Sequence, residues 1–538
     1  MAEKITDAAP PGWRRAEVRG YATGDGGSGH HGFRFDPAGD GGDIDLHPQL
    51  SAVHTHYGAG GDHLSIELTV EARGRFEAVV SESLVREDDR GFLYVLRPGV
   101  LPPDPGTYQP GPSMATPAGN AQEAVALLGA YLRGRDRALR GKDTYAPPPA
   151  LPEHHRRWLE ARLQVPLPDD LQALYAHVDG DGGEGLLADH HWFGLERLEK
   201  LSRPENRTWA AGRSWRHHLR RPLVTSTGGP PLAVRRAADH PHWIPFATDP
   251  QGDFLAVDLA PGPGGRPGQV IRMGRHHDDG PVYVADSVTG LLRRHVKALR
   301  AGSYEVGQGR RIRIDIDGQD EPEADKPDEL TIAGADAASM RGLHQHVQKL
   351  HIRNAPWADF APVRGAPMLW QVNVENCPGA DLAPLQDTPV ELLDLAMDRI
   401  DLAPLAEHAT LRFLTLRTSR PVDLGPLLSC PRLYALDLSE ASAIRDLSVL
   451  SELKDLLYLR LRRGQWEELW ERSGHPPGLA AAGLAAEPPR EKGWWWSGEH
   501  AVEPSLRTVA GWVADLAGDS TDVRLVKGRL SRRRRRSF

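Results

Sequence analysis

LRFLTLRTSRPVDLGPLLSCPRLYALDLSEASAIRDLSVL, residues 411–450, contains one spacing twice. Leu411, Leu414 and Leu416 stand in the order apolar-x-x-apolar-x-apolar, and Leu433, Leu436 and Leu438 repeat it. Behind each triplet comes an Asp-led segment, DLGPL at 423–427 and DLSVL at 446–450. The spacing continues outward on both sides, as Val347/Leu350/Ile352, Leu369/Val372/Val374, Val390/Leu393/Leu395 and Leu456/Leu459/Leu461, with steps of 22, 21, 21, 22 and 23 residues. DFAPV (359–363), DLAPL (381–385) and DLAPL (401–405) keep the second signature in register. Each triplet predicts a short strand whose apolar side chains enter a core that only stacked neighbours complete. The Asp is placed to accept bonds from free amides of the next turn, and the Pro falls where a helix start needs no donor.

Two signatures in one register resemble leucine-rich repeats, of the short bacterial internalin-like class. The resemblance implies an α/β solenoid over residues 329–465, with Leu330 and Ile332 beginning a capping unit. Alternation along a strand sends the residues between the apolar ones to the concave face. That face mixes aromatic residues with both charge signs, which suits a protein partner better than a phosphate track. The candidate anchors are Trp370, Asp394, Phe413, Arg417, Tyr434, Asp437, Tyr458 and Arg460. A merely solvated face is the competing reading.

Upstream, HHRRWLEARLQVPLPDDLQALYAHVDGDGG (154–183) predicts two helices broken by Pro166 and Pro168, the second ending near Asp179-Gly180. HWIPFATDPQGDFLAVDL (242–259) reads as strand, turn, strand, with Pro second and Gly fourth in Asp249-Pro250-Gln251-Gly252-Asp253. QVIRM (269–273) and VYVAD (282–286) continue the sheet, and a last helix runs from an N-cap at Ser287 to a stop at Gly302. LPDDLQALYAHVDG (167–180), WFGLERL (192–198), WIPFATDPQGDFLAVDL (243–259) and SVTGLLRRHVKAL (287–299) together resemble the Smi1/Knr4 family of the SUKH superfamily. Asp179 stands where the family commonly has Asn, and both tolerate left-handed backbone. The resemblance implies a non-enzymatic, protein-binding domain over residues 150–306. Bacterial members are similar to toxin-neutralising immunity proteins, and fungal members resemble cell-wall regulators. The motif nominates Trp243, Phe246, Asp249, Gly252 and Asp253 as partner-binding positions. Against that, Trp243 and Phe246 also read as core, and the Asp and Gly residues as turn formers.

Residues 1–146 alternate short apolar runs (HLSIELTV at 63–70, GRFEAVV at 74–80, GFLYVLR at 91–97) with Gly/Asp clusters, and AQEAVALLGAYLRGRDRALRG (121–141) has helical spacing. They predict a β-rich domain of no recognised family, closed by one helix, with a stiff boundary at Pro147, Pro148 and Pro149. His30, His31, His47, His54, His56 and His63 crowd this region, and His-Thr-His could set two metal ligands on one strand face. No Cys or fixed triad joins them, so metal-dependent activity is a weaker alternative. DPAGDGGDID (36–45) lacks the distal Glu of a calcium loop and reads as a turn.

The 538-residue length calls for several domains, and a net charge of -8 excludes broad affinity for nucleic acid or anionic membrane. Only the Arg532–Arg536 tail offers a weak nucleic-acid contact. The acidic stretch 307–328 reads as a linker, and 466–538 as a cap region with the basic tail. Trp494, Trp495 and Trp496 suit either a cap or a sticky surface. Cys377 and Cys430 fall at different phases of the repeat, no signal peptide or apolar span of ~20 residues occurs, and a cytoplasmic location follows. The Arg-, Ala-, Gly- and Pro-rich composition suits a GC-rich bacterial genome. With no Walker loop, dinucleotide fingerprint, nucleophile elbow or HExxH helix, no catalytic residue, cofactor or metal is assigned. The chain therefore reads as an α+β multidomain protein-binding module: a toxin-neutralising immunity protein or adaptor, with a cell-wall or morphogenesis scaffold as the alternative.

Overall fold

The computed structural model describes the chain apart from residues 24–26, 38–43, 58–62, 88–90, 104–105, 107, 141–144, 188, 208–214, 216–228, 238, 275, 278–279, 308–311, 315–327, 335–339, 341, 487–505 and 531–538. Most of the acidic linker, Trp494–Trp496, the Arg532–Arg536 tail and most of the 36–45 loop thus lie outside the described residues.

The first sheet is antiparallel. It joins β1 (Arg15–Thr23), β2 (Ser28–Asp36), β3 (His63–Glu71) and β4 (Arg75–Ser81) to a strand from the far end of the chain, Arg524–Arg529, named β24 here. In β3 every second residue is buried, and Leu64, Ile66, Leu68 and Val70 meet Ile5 of helix α1 (Ala2–Ala8) and Leu50 of α2 (His47–Tyr57). His54 and His56 lie in α2, not on a strand. At 3.6 residues per turn, two residues apart means opposite sides of the helix, so the expected pair of metal ligands on one face does not form.

The middle sheet is β7 (His191–Trp192), β8 (Trp243–Thr248), β9 (Asp253–Asp258), β10 (Gln269–Gly274) and β11 (Val282–Ala285), all antiparallel in the order β11-β10-β9-β8-β7. Helices α3 (Ala121–Ala138), α4 (Glu153–Glu160), α5 (Asp169–Tyr175), α6 (Leu195–Ser202) and α7 (Val288–Ala301) surround it. Ser287 caps α7 by accepting from the Gly290 amide at 2.9 Å, and Gly302 ends it in left-handed backbone. Helix α3 does not close the first domain as expected. Its Ala124, Leu128 and Tyr131 enter the core of the middle sheet, Tyr131 Oη donates to the Leu186 carbonyl at 2.6 Å, and Glu123 pairs with Arg293 of α7. The first sheet already has α1 and α2 on it, while α5 and α7 leave an apolar seam that the α3 stripe fills. The proline stretch is likewise docked rather than a spacer, since the Asp179 amide donates to the Pro148 carbonyl.

The third sheet carries the repeats. Strands β14 (Glu329–Ala333), β15 (Lys349–Arg353), β17 (Gln371–Cys377), β19 (Leu392–Met397), β20 (Phe413–Thr418), β21 (Ala435–Ala441), β22 (Tyr458–Leu461) and β23 (Ala481–Ala485) run parallel in this order. Two short pairs, β12 (Glu305–Val306) with β13 (Ile312–Arg313) and β16 (Ala358–Asp359) with β18 (Ala380–Asp381), form separate two-stranded sheets. Each Asp-led signature makes a 3-10 turn. The Asp carboxylate accepts the amide two residues on in every case: Asp359 from Ala361, Asp381 from Ala383, Asp401 from Ala403, Asp423 from Gly425 and Asp446 from Ser448, at 2.9–3.0 Å. These bonds satisfy turn amides that the short 3-10 segments leave unpaired. The inward Leu and Val residues of successive strands are almost wholly buried in one core.

The far end of this sheet departs from expectation. The parallel run continues beyond residue 465 into β23, where Leu479, Ala482 and Leu484 hold the inward places. Strands β5 (Leu84–Glu87) and β6 (Gly91–Val95) then extend it, β6 antiparallel to β23, so GFLYVLR serves the far sheet and not the first one. Gly91 permits this crossing, because a Cβ there would lie 2.1 Å from the Leu484 carbonyl oxygen. Helix α8 (Arg463–Arg472) and helix α9 (Leu506–Ala517) cover the core's end with Trp466 and Trp512. Among the described residues no helix is long and apolar enough to cross a membrane.

Candidate functional site

The hairpin nominated from the sequence is built inward. Trp243 and Phe246 are both 0% exposed and pack in the two cores on either face of the middle sheet. The Asp249 carboxylate accepts the Gln251 and Asp253 amides at 2.9 Å, and Gly252 takes a φ of 96° to close the turn. Asp253 is buried, accepting the His276 amide at 3.0 Å. These five residues shape and hold a hairpin. Neither aromatic side chain can reach a partner, which corrects the expectation that they would.

The concave face of the parallel sheet is divided. At the strand entries a row of residues stacks one above the next through backbone bonds: Trp370 on Gln348, Glu391 on Trp370, Arg412 on Glu391 and Tyr434 on Arg412. This row is covered by the protein itself. Arg236, from the segment before β8, lies over the Trp370 ring at 4.7 Å and pairs with Glu391. Arg412 takes the other Glu391 oxygen at 3.1 Å, faces the Tyr434 ring at 5.1 Å and donates to the Pro103 carbonyl. Further along, Trp215 stacks on Tyr458 and donates to the Val100 carbonyl at 2.9 Å. Trp370, Tyr434 and Tyr458 are consequently buried, Arg460 is buried beside Tyr458, and Phe413 meets Tyr458 edge-on at 6.1 Å. Expected as open anchors, Trp370, Tyr434 and Tyr458 lie in a row to which Pro103, Tyr108, Trp215 and Arg236 of the same chain are bound.

What stays open is the adjoining strip. Arg417 donates to both oxygens of Asp394 at 2.7 Å, and neither side chain is fully enclosed. Asp437, held by the Ser439 hydroxyl at 2.6 Å, has Arg460 3.8 Å away. His351 bonds Asn373 at 3.1 Å and lies 3.3 Å from Glu329. Burial, with Asp437 and Glu440 nearby, keeps the Asp394 carboxyl above its usual range despite Arg417. The strip offers fixed charges of both signs in a half-dry setting, the arrangement that selects a complementary protein surface.

Sequence reasoning missed Arg236, Glu391 and Arg412. A signal existed: Glu391 and Arg412 are one repeat apart, next to the apolar starts Val390 and Leu411, so stacking must bring them together. Arg236 had none, since its approach depends on how two separate sheets dock.

Residues 157–294 match the SMI1/KNR4 family (SUKH-1), so the chain carries a SMI1/KNR4 domain. The glucan synthesis regulatory protein of Neurospora crassa is 41% identical over 95 residues, 18% of this chain and 17% of that protein. The cell wall biosynthesis/cell cycle regulator smi1 of Schizosaccharomyces pombe is 36% identical over 137 residues, 22% of this chain and 25% of the relative. The cell wall assembly regulator SMI1 of Saccharomyces cerevisiae is 41% identical over 75 residues, with 14% and 15% covered. The matches thus span a quarter or less of these relatives.

Proposed function

We propose that this chain is a non-enzymatic regulatory scaffold, cytoplasmic, in which a SMI1/KNR4 domain is locked onto a leucine-rich-repeat solenoid. The single observation that carries this reading is the SMI1/KNR4 match at residues 157–294, because the relatives sharing that domain are named as regulators of glucan synthesis and cell-wall assembly. Those names favour regulation, including of cell-wall or morphogenesis machinery, over the toxin-neutralising reading. The gripping surface is the open strip around Asp394, Arg417 and Asp437, since the strand-entry row is already filled from within. Solenoids commonly bind through this face.

The test is affinity purification of the tagged full chain from its native cells with mass spectrometry, beside an Arg417→Asp/Asp437→Arg double variant. A specific set of regulatory or cell-wall partners, retained by the wild type and lost by the folded variant, supports the scaffold. Recovery of one toxin domain would replace it with immunity, and partners held equally by both proteins would remove the strip from the account.

A further inference from the structure

The junction between the SMI1/KNR4 domain and the strand-entry row holds a partly open cavity of about 180 Å³. An engineered apolar cavity of about 150 Å³ is enough to hold benzene, so a single ring fits here. Its walls include the Trp370 and Tyr108 rings with Pro110 and Pro263, and its charged members are Arg236, Glu391 and Arg432. Glu391 is saturated, with one oxygen on Arg236 and the other on Arg412. Arg432 stacks on Tyr108 at 4.4 Å, and no carboxylate of the described residues lies within ion-pair distance of it. The lining thus holds two guanidiniums and one carboxylate, and that carboxylate is already shared with Arg412 outside the cavity, so the charge of half-buried Arg432 is left without a counter-ion among the described residues.

We infer that this cavity is a binding site for a small aromatic carboxylate. The ring lies among the proline and aromatic walls, and the carboxylate takes the forked donors of Arg432, a pairing a guanidinium makes in two parallel bonds. The walls come from three places in the chain: residues 108–110, residues 232–236 with Pro263, and the repeat strands' entries. Occupancy thus fastens the two domains together, and free ligand stabilises the fastened form by an amount that grows with the logarithm of its concentration above the dissociation constant. This site is separate from the open strip, so it stands or falls independently of the partner proposed above.

Benzoate is the probe, with benzamide as the uncharged counterpart and acetate as the ringless one, each titrated into the full chain by calorimetry and thermal unfolding. Benzoate is expected to raise the melting temperature and to bind at least tenfold more tightly than either control. Arg432→Ala, on a half-buried side chain, should keep the unliganded melting temperature within a degree or two and lose the benzoate response. A response absent from the wild type, shared equally with benzamide, or unchanged in Arg432→Ala overturns the site. Should Arg432→Ala prove unstable, Val234→Phe, which enlarges a buried wall residue of the cavity without touching a charge, must abolish the same response.

Discussion

Arg236 of the SMI1/KNR4 domain and Glu391 of the parallel sheet, 155 positions apart in the chain, form a buried ion pair. Arg412 shares the carboxylate, so removing it strands two enclosed guanidiniums. Breaking one side of such a pair costs about 3–5 kcal/mol. Glu391→Ala is expected to lower stability by that amount, whereas replacing all three residues with apolar ones of similar volume recovers much of it. Urea unfolding of the single and triple variants checks both, and equal losses would show that packing rather than charge holds the junction.

His295 should make the middle domain sensitive to acid. Burial pushes its imidazole down to about 4, although Nδ1 keeps the Leu291 carbonyl at 2.7 Å, and His190 and Arg294 add to the effect. Unfolded, the same ring titrates near 6.5. Above that pH it is neutral in both states and contributes no pH dependence. Between about 6.5 and 4 the unfolded chain takes up a proton that the folded one refuses, so stability falls by up to about 1.4 kcal/mol per pH unit. His295→Gln is expected to flatten this slope, even if it lowers stability throughout, and melting curves from pH 7 to 4 would read it.

The Asp394–Arg417 pair should behave differently. With 24% and 34% of its side chains exposed, it contributes about 1 kcal/mol or less, further weakened by salt. Arg417→Ala is accordingly expected to unfold within about 1 kcal/mol of wild type while partner capture drops. A larger loss in urea titration would make the pair structural.

Asp522 ties the far end of the chain to the turn between β4 and β5. Its carboxylate accepts the Glu82 and Ser83 amides at 2.7 and 2.9 Å and the Ser81 hydroxyl at 3.0 Å. Asp522→Ala leaves those donors without their acceptor, at a cost of roughly 1–3 kcal/mol. Limited proteolysis should then cut between α9 and β24 faster than in the wild type, and an unchanged rate would mean that the strand pairing alone secures this end.

The difference between the parts that could be read and those that could not is one of range. Leu350 with Ile352, or Leu436 with Leu438, announce inward strand positions because the spacing is local and recurs with a fixed step. Ser287 and Gly302 mark the ends of a helix for the same reason. The pairing of Gly91–Val95 with Ala481–Ala485 leaves no such trace, since nothing near either strand names the other. The strip residues Asp394 and Arg417 follow from alternation and stacking alone. Tyr458 follows the same rule and yet is covered, because alternation gives a side chain's direction and is silent on what another domain places above it. Trp243 and Phe246 were ambiguous for a related reason: an aromatic residue on a strand with both faces covered is core on whichever side it points.

The antiparallel seam between β6 and β23 also bears on how the protein is made. Residues 91–95 leave the ribosome long before residues 481–485 exist, an interval of roughly 20–80 s at ordinary elongation rates. Throughout it, the nascent chain carries an apolar strand paired only with β5, whose other edge waits for a partner not yet synthesised, and such edges invite misassociation. This seam should therefore close only after residues 481–485 have been made, and the yield of folded protein in a cell should depend on the holding chaperones that shelter the early strand.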